Sequence, residues 1–535
     1  MRGRGSHSRR IVLAVGIFLV AFLWSSFFLQ GLRLFDNDYN FWIRRAREDP
    51  FAKTLGETLN PILSGWNVNF RPFQVLIFQV LFPVLGYHAS GYYYFKSVIL
   101  GLLCAVYFLF LGRYLRSGFA AFASPIILLV SCSTFTSLYW VSDFVILSEL
   151  LALLVFFLFL YLETREGEIP KPALLLILAG MLLLTLFCDR TKANGKLIPG
   201  ILLFYIFLTD IRKLKRYGIL LVFMIFILVP WKVVLKNPIP PFIADPRKMT
   251  DVYSWQPAAS GKFWLLFGRD FKMLSLGYKD HPPISILAIL GFPLVYSAIA
   301  GCGIIFYRFL PEKNLAAGAM KKWREFRKSP GGRVILFLFC WGTVNIVSLA
   351  SYPTLPPHFR SRYAISVLIP LLPLVLVVIE RGAGSIVSEK RKAVRVFLWS
   401  LLSIQILFQG YQTFRMRNDF PSFIIASDRA RDYIAGNIRE SSIFYLNLPI
   451  MSYRPTDTGN RFYEPGKQFN LTAAAKKLGV PLEKCYVLSA NPVKSPYLHL
   501  KRDFPGVSES LYDRIMNSGD SRVYKRTMYL YEVKY

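Results

Sequence analysis

Charge is scarce in this chain, and acidic charge scarcer still. Only 18% of the 535 residues are charged, 32 of them acidic against 64 basic. A soluble domain carries about 25% charged residues, so one large soluble core is excluded, and a mean hydropathy of +0.40 agrees. Cysteine is sparse too. Of Cys104, Cys132, Cys188, Cys302, Cys340 and Cys485, five lie in or beside apolar segments, and there is no CxxC and no Cys/His cluster. A structural zinc site and a disulfide framework are therefore not indicated. Cys485 stands alone in the long C-terminal region and has no disulfide partner there. No glycine-rich phosphate loop follows a strand pattern and no metal-ligand spacing appears, which removes dehydrogenase, kinase and nuclease readings. Internal repeats and low-complexity tracts are also missing.

What is present is apolar: 54% of residues are hydrophobic and 16% aromatic. Residues 11–30 carry no charge, and about 20 apolar residues cross ~30 Å of hydrocarbon. This run is too long for a signal-peptide core and lacks a clean small-residue cleavage site, so a retained first span is expected. Further spans are expected near 92–112, 119–139, 143–162, 171–188, 197–209, 217–236, 283–307, 334–351, 363–380 and 396–411, about 11 in all. The segment 73–85, bounded by Pro72 and containing Pro83, is read as an interfacial or re-entrant helix. Lys96 lies inside a span and is the main exception to charges at span ends, with snorkelling to the edge as the alternative reading.

The formal charge of +32 is better explained by the membrane than by nucleic acid, because Lys and Arg collect in cytoplasmic loops and beside anionic headgroups. With the N-terminus inside, the densest basic loops (113–116, 212–216, 308–333 and 381–395) fall inside. The intervening loops, among them a long first one at 31–91, then fall outside, as do residues 412–535. Residues 412–535 change character and read as a small α/β domain. It has an amphipathic helix at 420–438, a helix at 471–479, and strands within 443–450, 485–490 and 523–535. Asn470-Leu471-Thr472 is a glycosylation sequon that carries weight only in a eukaryotic lumen.

Ionisable residues gather on the expected outer side. Asp36 and Asp38 follow the first span, Arg71 precedes the interfacial segment, and His88 follows it. Asp143 and Glu149 open the fourth span. Asp189, Arg190, Lys192 and Lys196 fill the turn after the fifth, and His358, Arg360 and Arg362 precede the tenth. Any one of them fits snorkelling or a structural ion pair; their shared location is the argument. Cations at a lipid interface suit a phosphate headgroup, with Arg offering a planar fork and Lys a point charge. A carboxylate beside them can take the proton of an attacking hydroxyl.

In order along the chain, several motifs resemble those of the GT-C superfamily, and within it the protein O-mannosyltransferase-like branch that uses dolichyl- or polyprenyl-phosphate sugars. These are Asp36-Asn37-Asp38-Tyr39, Phe70-Arg71-Pro72 through Leu85-Gly86-Tyr87-His88, and Trp140-Val141-Ser142 with Ser148-Glu149-Leu150-Leu151. Thr191-Lys192 with Pro199 and Arg362-Tyr363 with Pro370 complete the set. Glu149 stands where the family has Asp. The resemblance covers about residues 10–380. It implies a polytopic α-helical membrane protein with a GT-C-like bundle over 1–411, interfacial helices in the first external loop, and the C-terminal α/β domain at 412–535. It implies an inverting glycosyltransferase, moving a sugar from a polyprenyl-phosphate carrier to an acceptor hydroxyl, with Asp36 or Asp38 as base. Arg71, Lys192, Arg360 and Arg362 would grip the donor phosphate. No cofactor is expected; some members of the superfamily use a divalent cation, but no ligand cluster here argues for one.

The expected partners are the lipid-linked sugar, a glycan, lipid or protein acceptor, and membrane lipids. A bacterial inner membrane is favoured, with the endoplasmic reticulum as the alternative. Two other functions compete: a transporter or flippase of lipid-linked glycans, and a non-catalytic envelope assembly protein. Transporters carry repeated halves and midplane charges; no such halves are evident and most charges cluster at span ends, with Lys96 the main exception.

Overall fold

Inside hydrocarbon a backbone must satisfy its own polar groups, so long uncharged runs can only be helices. A computed structural model of the chain describes residues 4–30, 45–60, 71–86, 89–115, 117–139, 144–165, 169–228, 292–307, 323–350, 364–386, 391–446, 461–463, 471–489, 492–493, 495–505 and 527–533. Each expected span contains a helix in its described part, and the one at 119–139 is broken at Ser131. The helices are α1 (Arg4–Leu29), α2 (Phe51–Leu59), α3 (Pro72–Leu85), α4 (Ala89–Tyr114), α5 (Gly118–Val130), α6 (Cys132–Tyr139) and α7 (Val145–Thr164). They continue with α8 (Lys171–Thr191), α9 (Leu197–Thr209), α10 (Leu214–Leu228), α11 (Phe292–Tyr307), α12 (Pro330–Ala350), α13 (Ile365–Ile386) and α14 (Arg391–Asn437). Among the described residues seven helices are long and apolar enough to cross a membrane, or eight if the bent pair α5 and α6 counts as one span. The protein is an integral, multi-pass membrane protein.

By its contacts the chain divides into two units. One is Met1–Ser25, Ile43–Gly86 and Tyr93–Thr413; the other is Ser26–Trp42, Tyr87–Tyr92 and Phe414–Tyr535. In the first unit α13 is the central element, packed by α5, α11 and α12, while α7 lies along α8 and α9 along α12. Pro370 and Pro373 interrupt α13. A proline lacks the N–H that would bond the carbonyl four residues earlier, here those of Ser366 and Ile369. Both carbonyls are filled from neighbouring helices. Asn345 Nδ2 donates to Ser366 O at 2.9 Å, and the Tyr107 hydroxyl donates to Ile369 O.

The same rule governs the 50° bend between α5 and α6. Ser131 caps α6 by accepting from Thr134 N at 3.2 Å, the Ser131 and Thr134 hydroxyls both donate to Leu128 O, and Thr413 Oγ1 donates to Val130 O at 2.7 Å. At the far end of α6, Lys96 Nζ donates to Ser137 O at 2.7 Å and Tyr93 to Tyr139 O at 3.3 Å. Lys96 is only 2% exposed. It therefore does not snorkel: its ammonium meets the negative end of a short helix dipole, where a cation is favoured.

In the second unit β1 (Ser442–Leu446), β2 (Arg461–Tyr463), β3 (Cys485–Ser489), β4 (Leu498–Pro505) and β5 (Thr527–Val533) form one sheet in the order β2-β1-β3-β5-β4. β1 runs parallel to β2 and β3, and β5 antiparallel to β3 and β4. Alternation sends Ile443, Leu488 and Leu530 to one face, against Ala426, Ala430 and Ile434 of α14. It sends Phe444, Val487 and Tyr531 to the other, where Ala475 of α15 (Leu471–Leu478) packs. β2 and β4 are additional to the strands expected from sequence. β2 has three residues, and β4 carries five consecutive exposed residues, His499 to Asp503, with no in-and-out pattern until Phe504. Arg417 of the same unit is buried and donates to Phe28 O and Gln30 O at 3.0 and 3.2 Å, closing the C-terminal end of α1.

Candidate functional site

The span ends sort into two sets by their contacts. In one set, Glu163 pairs with Lys213 at 2.8 Å, the Glu163 carbonyl accepts from Arg333, and Ser117 donates to Glu380. In the other set, α8 ends on Asp189, Arg190 and Thr191, and the chain turns through a 3-10 helix at Ala193–Lys196 into α9.

The turn at the end of α8 holds most of the described candidate residues. Asp189, Arg190 and Lys192 are 5%, 1% and 3% exposed. Arg190 Nη1 lies 3.2 Å from Asp189 Oδ2, and Lys196 Nζ lies 3.8 Å from Asp189 Oδ1. Asp189 Oδ1 is buried without a hydrogen-bond partner among the described residues. Asp189 thus pairs with Arg190 and, more distantly, with the partly exposed Lys196, and Lys192 is buried in the same turn. A charge buried in such a place costs several kcal/mol unless compensated. The turn closes because residue 195 is glycine: a Cβ there would meet Asp189 Cα at 2.7 Å and the Asp189 backbone nitrogen closer still.

The first intervening segment packs onto this turn. Arg190 Nη2 donates to Asn60 O at the end of α2 at 3.0 Å. Phe73 of α3 stacks on Phe187 with ring centroids 4.7 Å apart and planes 7° off parallel. Arg71, two residues before Phe73, is the buried N-cap residue of α3 with Pro72 at N1. α2 is itself pinned to α3: Gln79 Nε2 donates to Asp49 O at 2.7 Å. Asp49, outside the spans, is ringed by Arg45 and Lys53 at 2.9 and 3.0 Å. Burial alone would raise its pKa, but hydrogen bonds from Lys53 and Arg45, with their charges, bring it below the ordinary carboxylate value.

Glu149 lies one turn into α7, 2% exposed, and accepts from Ser366 Oγ at 2.5 Å. The neighbouring Ser148 hydroxyl is 3.3 Å from Cys188 Sγ, which joins this part of α7 to the end of α8. The described contact of Glu149 is thus to the first turn of α13, directly after the segment that carries Arg360 and Arg362. The sequence passed over Ser366, Asn345, Asn60 and Gly195. Asp36, Asp38, His88, Asp143, His358, Arg360 and Arg362 lie outside the described residues. Within them, Arg71, Arg190, Lys192 and Lys196 belong to the same set of span ends.

The chain is a helical membrane bundle whose first long segment returns short helices onto the end of a later span, with a small sheet in its C-terminal region, and this fold has counterparts among solved structures. Among solved structures the chain is similar to ArnT from Cupriavidus metallidurans bound to undecaprenyl phosphate, with a TM-score of 0.50 at 14% identity over 97% of both chains. It is also similar to ArnT from the same organism in the apo state, with a TM-score of 0.47 at 15% identity over 98% of both chains. At such identity the likeness is one of fold, and it does not single out the O-mannosyltransferase-like branch. No protein-family profile matches the chain, and no curated protein matches it in sequence.

Proposed function

We propose that this protein is a glycosyltransferase that takes a sugar from a polyprenyl-phosphate carrier and passes it, with inversion, to an acceptor hydroxyl on the non-cytoplasmic face of the membrane. The observation that carries the reading is the cationic turn at Asp189–Lys196, held against the first intervening segment by the Arg190–Asn60 hydrogen bond and the Phe73–Phe187 stack. The fold supports it, and so does the undecaprenyl phosphate bound by the similar ArnT.

In the proposed reaction the bond between the sugar and its phosphate breaks while the acceptor oxygen attacks the opposite face of the anomeric carbon. Negative charge grows on the departing phosphate, and Arg71, Arg190, Lys192, Arg360 and Arg362 stabilise it by charge-assisted hydrogen bonds. Asp36 or Asp38 takes the acceptor proton. Asp189 serves as a positioning residue that holds Arg190 and Lys196 toward the phosphate. The scheme calls on no cofactor. The remaining candidates, His88, Asp143 and His358, would line the acceptor side.

Transport is the weaker reading, although a broken span is a transporter feature. Here the backbone groups freed at the α5/α6 bend are met by Ser131, Thr134 and Thr413.

The test is sugar transfer by the purified full-length protein in nanodiscs, supplied with polyprenyl-phosphate sugars, together with mass spectrometry of envelope glycans and glycoproteins with and without the gene. Transfer lost in Asp36→Ala or Asp38→Ala, with the thermal unfolding curve unchanged, supports the base assignment. Full activity in both single variants would falsify it. Lipid-linked glycan that crosses the bilayer without sugar transfer would establish transport instead.

A further inference from the structure

The opposite set of span ends holds a second polar cluster that the proposed reaction does not use. Arg113, near the end of α4, is exposed at this face, and its guanidinium lies 5.7 Å from the Tyr114 ring centroid and 5.4 Å from that of Tyr161. Among the described residues no carboxylate pairs with it. The nearby acids are engaged elsewhere: Glu163 with Lys213, and Glu380 with Ser117. Beside Arg113 opens a cavity of about 280 Å³ lined by Arg113, Tyr114, Thr164, Pro330 and Val334, so it sits where the ends of α4 and α7 meet the start of α12.

We infer that this cavity is a binding site for the phosphate headgroup of an anionic phospholipid, separate from the sugar-transfer site. A guanidinium carries five N–H donors in a planar fork; Arg113 makes one side-chain hydrogen bond to Tyr114, which leaves donors for a ligand. Such a fork matches two oxygens of a phosphodiester. The cavity falls at the low end of the roughly 300–1,000 Å³ of small-molecule sites, which suits a headgroup. Its surroundings are cationic, with Arg165 and Arg333 close in sequence to its lining, and basic pockets between span ends are where anionic headgroups settle. The acyl chains would continue along bare helix faces. Leu175 and Leu176, in the first turns of α8 at this same set of ends, are 68% and 76% exposed, as lipid-facing residues are. A freely dissolved phosphate would have no use for such faces, so the lipid is the occupant.

The experiment uses the full-length protein in neutral detergent, titrated with phosphatidylglycerol, phosphatidylcholine or inorganic phosphate. Thermal unfolding and native mass spectrometry provide the readouts. Phosphatidylglycerol is expected to raise Tm and to remain bound, while phosphatidylcholine and inorganic phosphate do neither. Arg113→Gln is expected to weaken phosphatidylglycerol binding about tenfold, the size of one lost charge-assisted contact. Thr164→Phe, at a half-buried lining position, fills the cavity and leaves Arg113 in place; it is expected to do the same and decides the matter if Arg113→Gln does not fold. Lys53→Gln, at an exposed cation of α2, is expected to keep the phosphatidylglycerol effect. Wild-type retention of phosphatidylglycerol in both cavity variants overturns the inference. So does an equal Tm shift with inorganic phosphate, or a loss of retention in Lys53→Gln as large as that in Arg113→Gln.

Discussion

Asn345 on α12 donates its amide to the carbonyl of Ser366 on α13 at 2.9 Å, and that carbonyl is the one Pro370 deprives of its helical partner. In water such a gap would be filled by solvent. Inside a span it needs a side chain from a neighbour. Pro370, which the motif resemblance picks out beside Arg362 and Tyr363, thus has a structural counterpart in Asn345.

Asn345→Leu is expected to lower stability by about 1–2 kcal/mol, between an average interhelical membrane hydrogen bond and the cost of a bare buried carbonyl. In a Pro370→Ala background the loss is expected to shrink, because an N–H returns to Ser366 O. Thermal unfolding of the four proteins in one detergent checks this. Equal losses in both backgrounds would show that Asn345 acts through something other than this carbonyl.

Asp189 and Arg190 are buried neighbours of opposite charge, and removing one partner of such a pair costs about 3–5 kcal/mol. Asp189→Asn and Arg190→Gln are each expected to destabilise on that scale. The double variant is expected to lose less than the sum, as coupled charges do. Additive losses would mean that the two groups are held independently.

Lys96→Met removes the ammonium from the C-terminal end of α6 and leaves Ser137 O without that donor. The expected cost is about 1–3 kcal/mol, with part of it restored in Lys96→Arg. Thermal unfolding of the three proteins measures it. A Lys96→Met variant as stable as the wild type would return Lys96 to the role of an ordinary snorkelling side chain.

The Asp49 carboxyl is held below its ordinary range once the Lys53 and Arg45 bonds outweigh burial. A carboxylate with a lowered folded-state pKa adds stability above its unfolded value, about 3.9, and that contribution disappears as pH falls through the folded value. Asp49→Asn is therefore expected to be less stable than wild type at pH 7, by a few tenths of a kcal/mol. The two curves should converge in acid below the ordinary aspartate range. Unfolding midpoints across pH test the sign; a gap that widens in acid contradicts it.

The spans were legible because charge interrupts apolar runs sharply, and the cationic turn at Arg190–Lys196 was legible for the same reason. Neutral polar residues gave no such signal. Asn345, Ser366 and Tyr107 look ordinary until the prolines four residues beyond Ser366 and Ile369 reveal two orphan carbonyls, and sequence supplies the orphan without naming its donor. Lys96 was misplaced because its partner, Ser137 O, lies 41 residues away on a bent span. β4 was missed because pairing with β5 holds its exposed run of residues, with an irregularity between Leu500 and Arg502. The close approach of Gly195 to Asp189 depends on a turn that no local pattern announces.

The bond from Thr413 to Val130 joins residues 283 positions apart, and that from Ser366 to Glu149 spans 217. At about 5–20 residues per second of synthesis, the elbow between α5 and α6 waits roughly 15–60 s for Thr413 to be made. The early spans therefore enter the bilayer before that contact exists. A chain truncated before residue 413 would keep the Ser131 and Thr134 bonds at the elbow and lack the one to Val130 O.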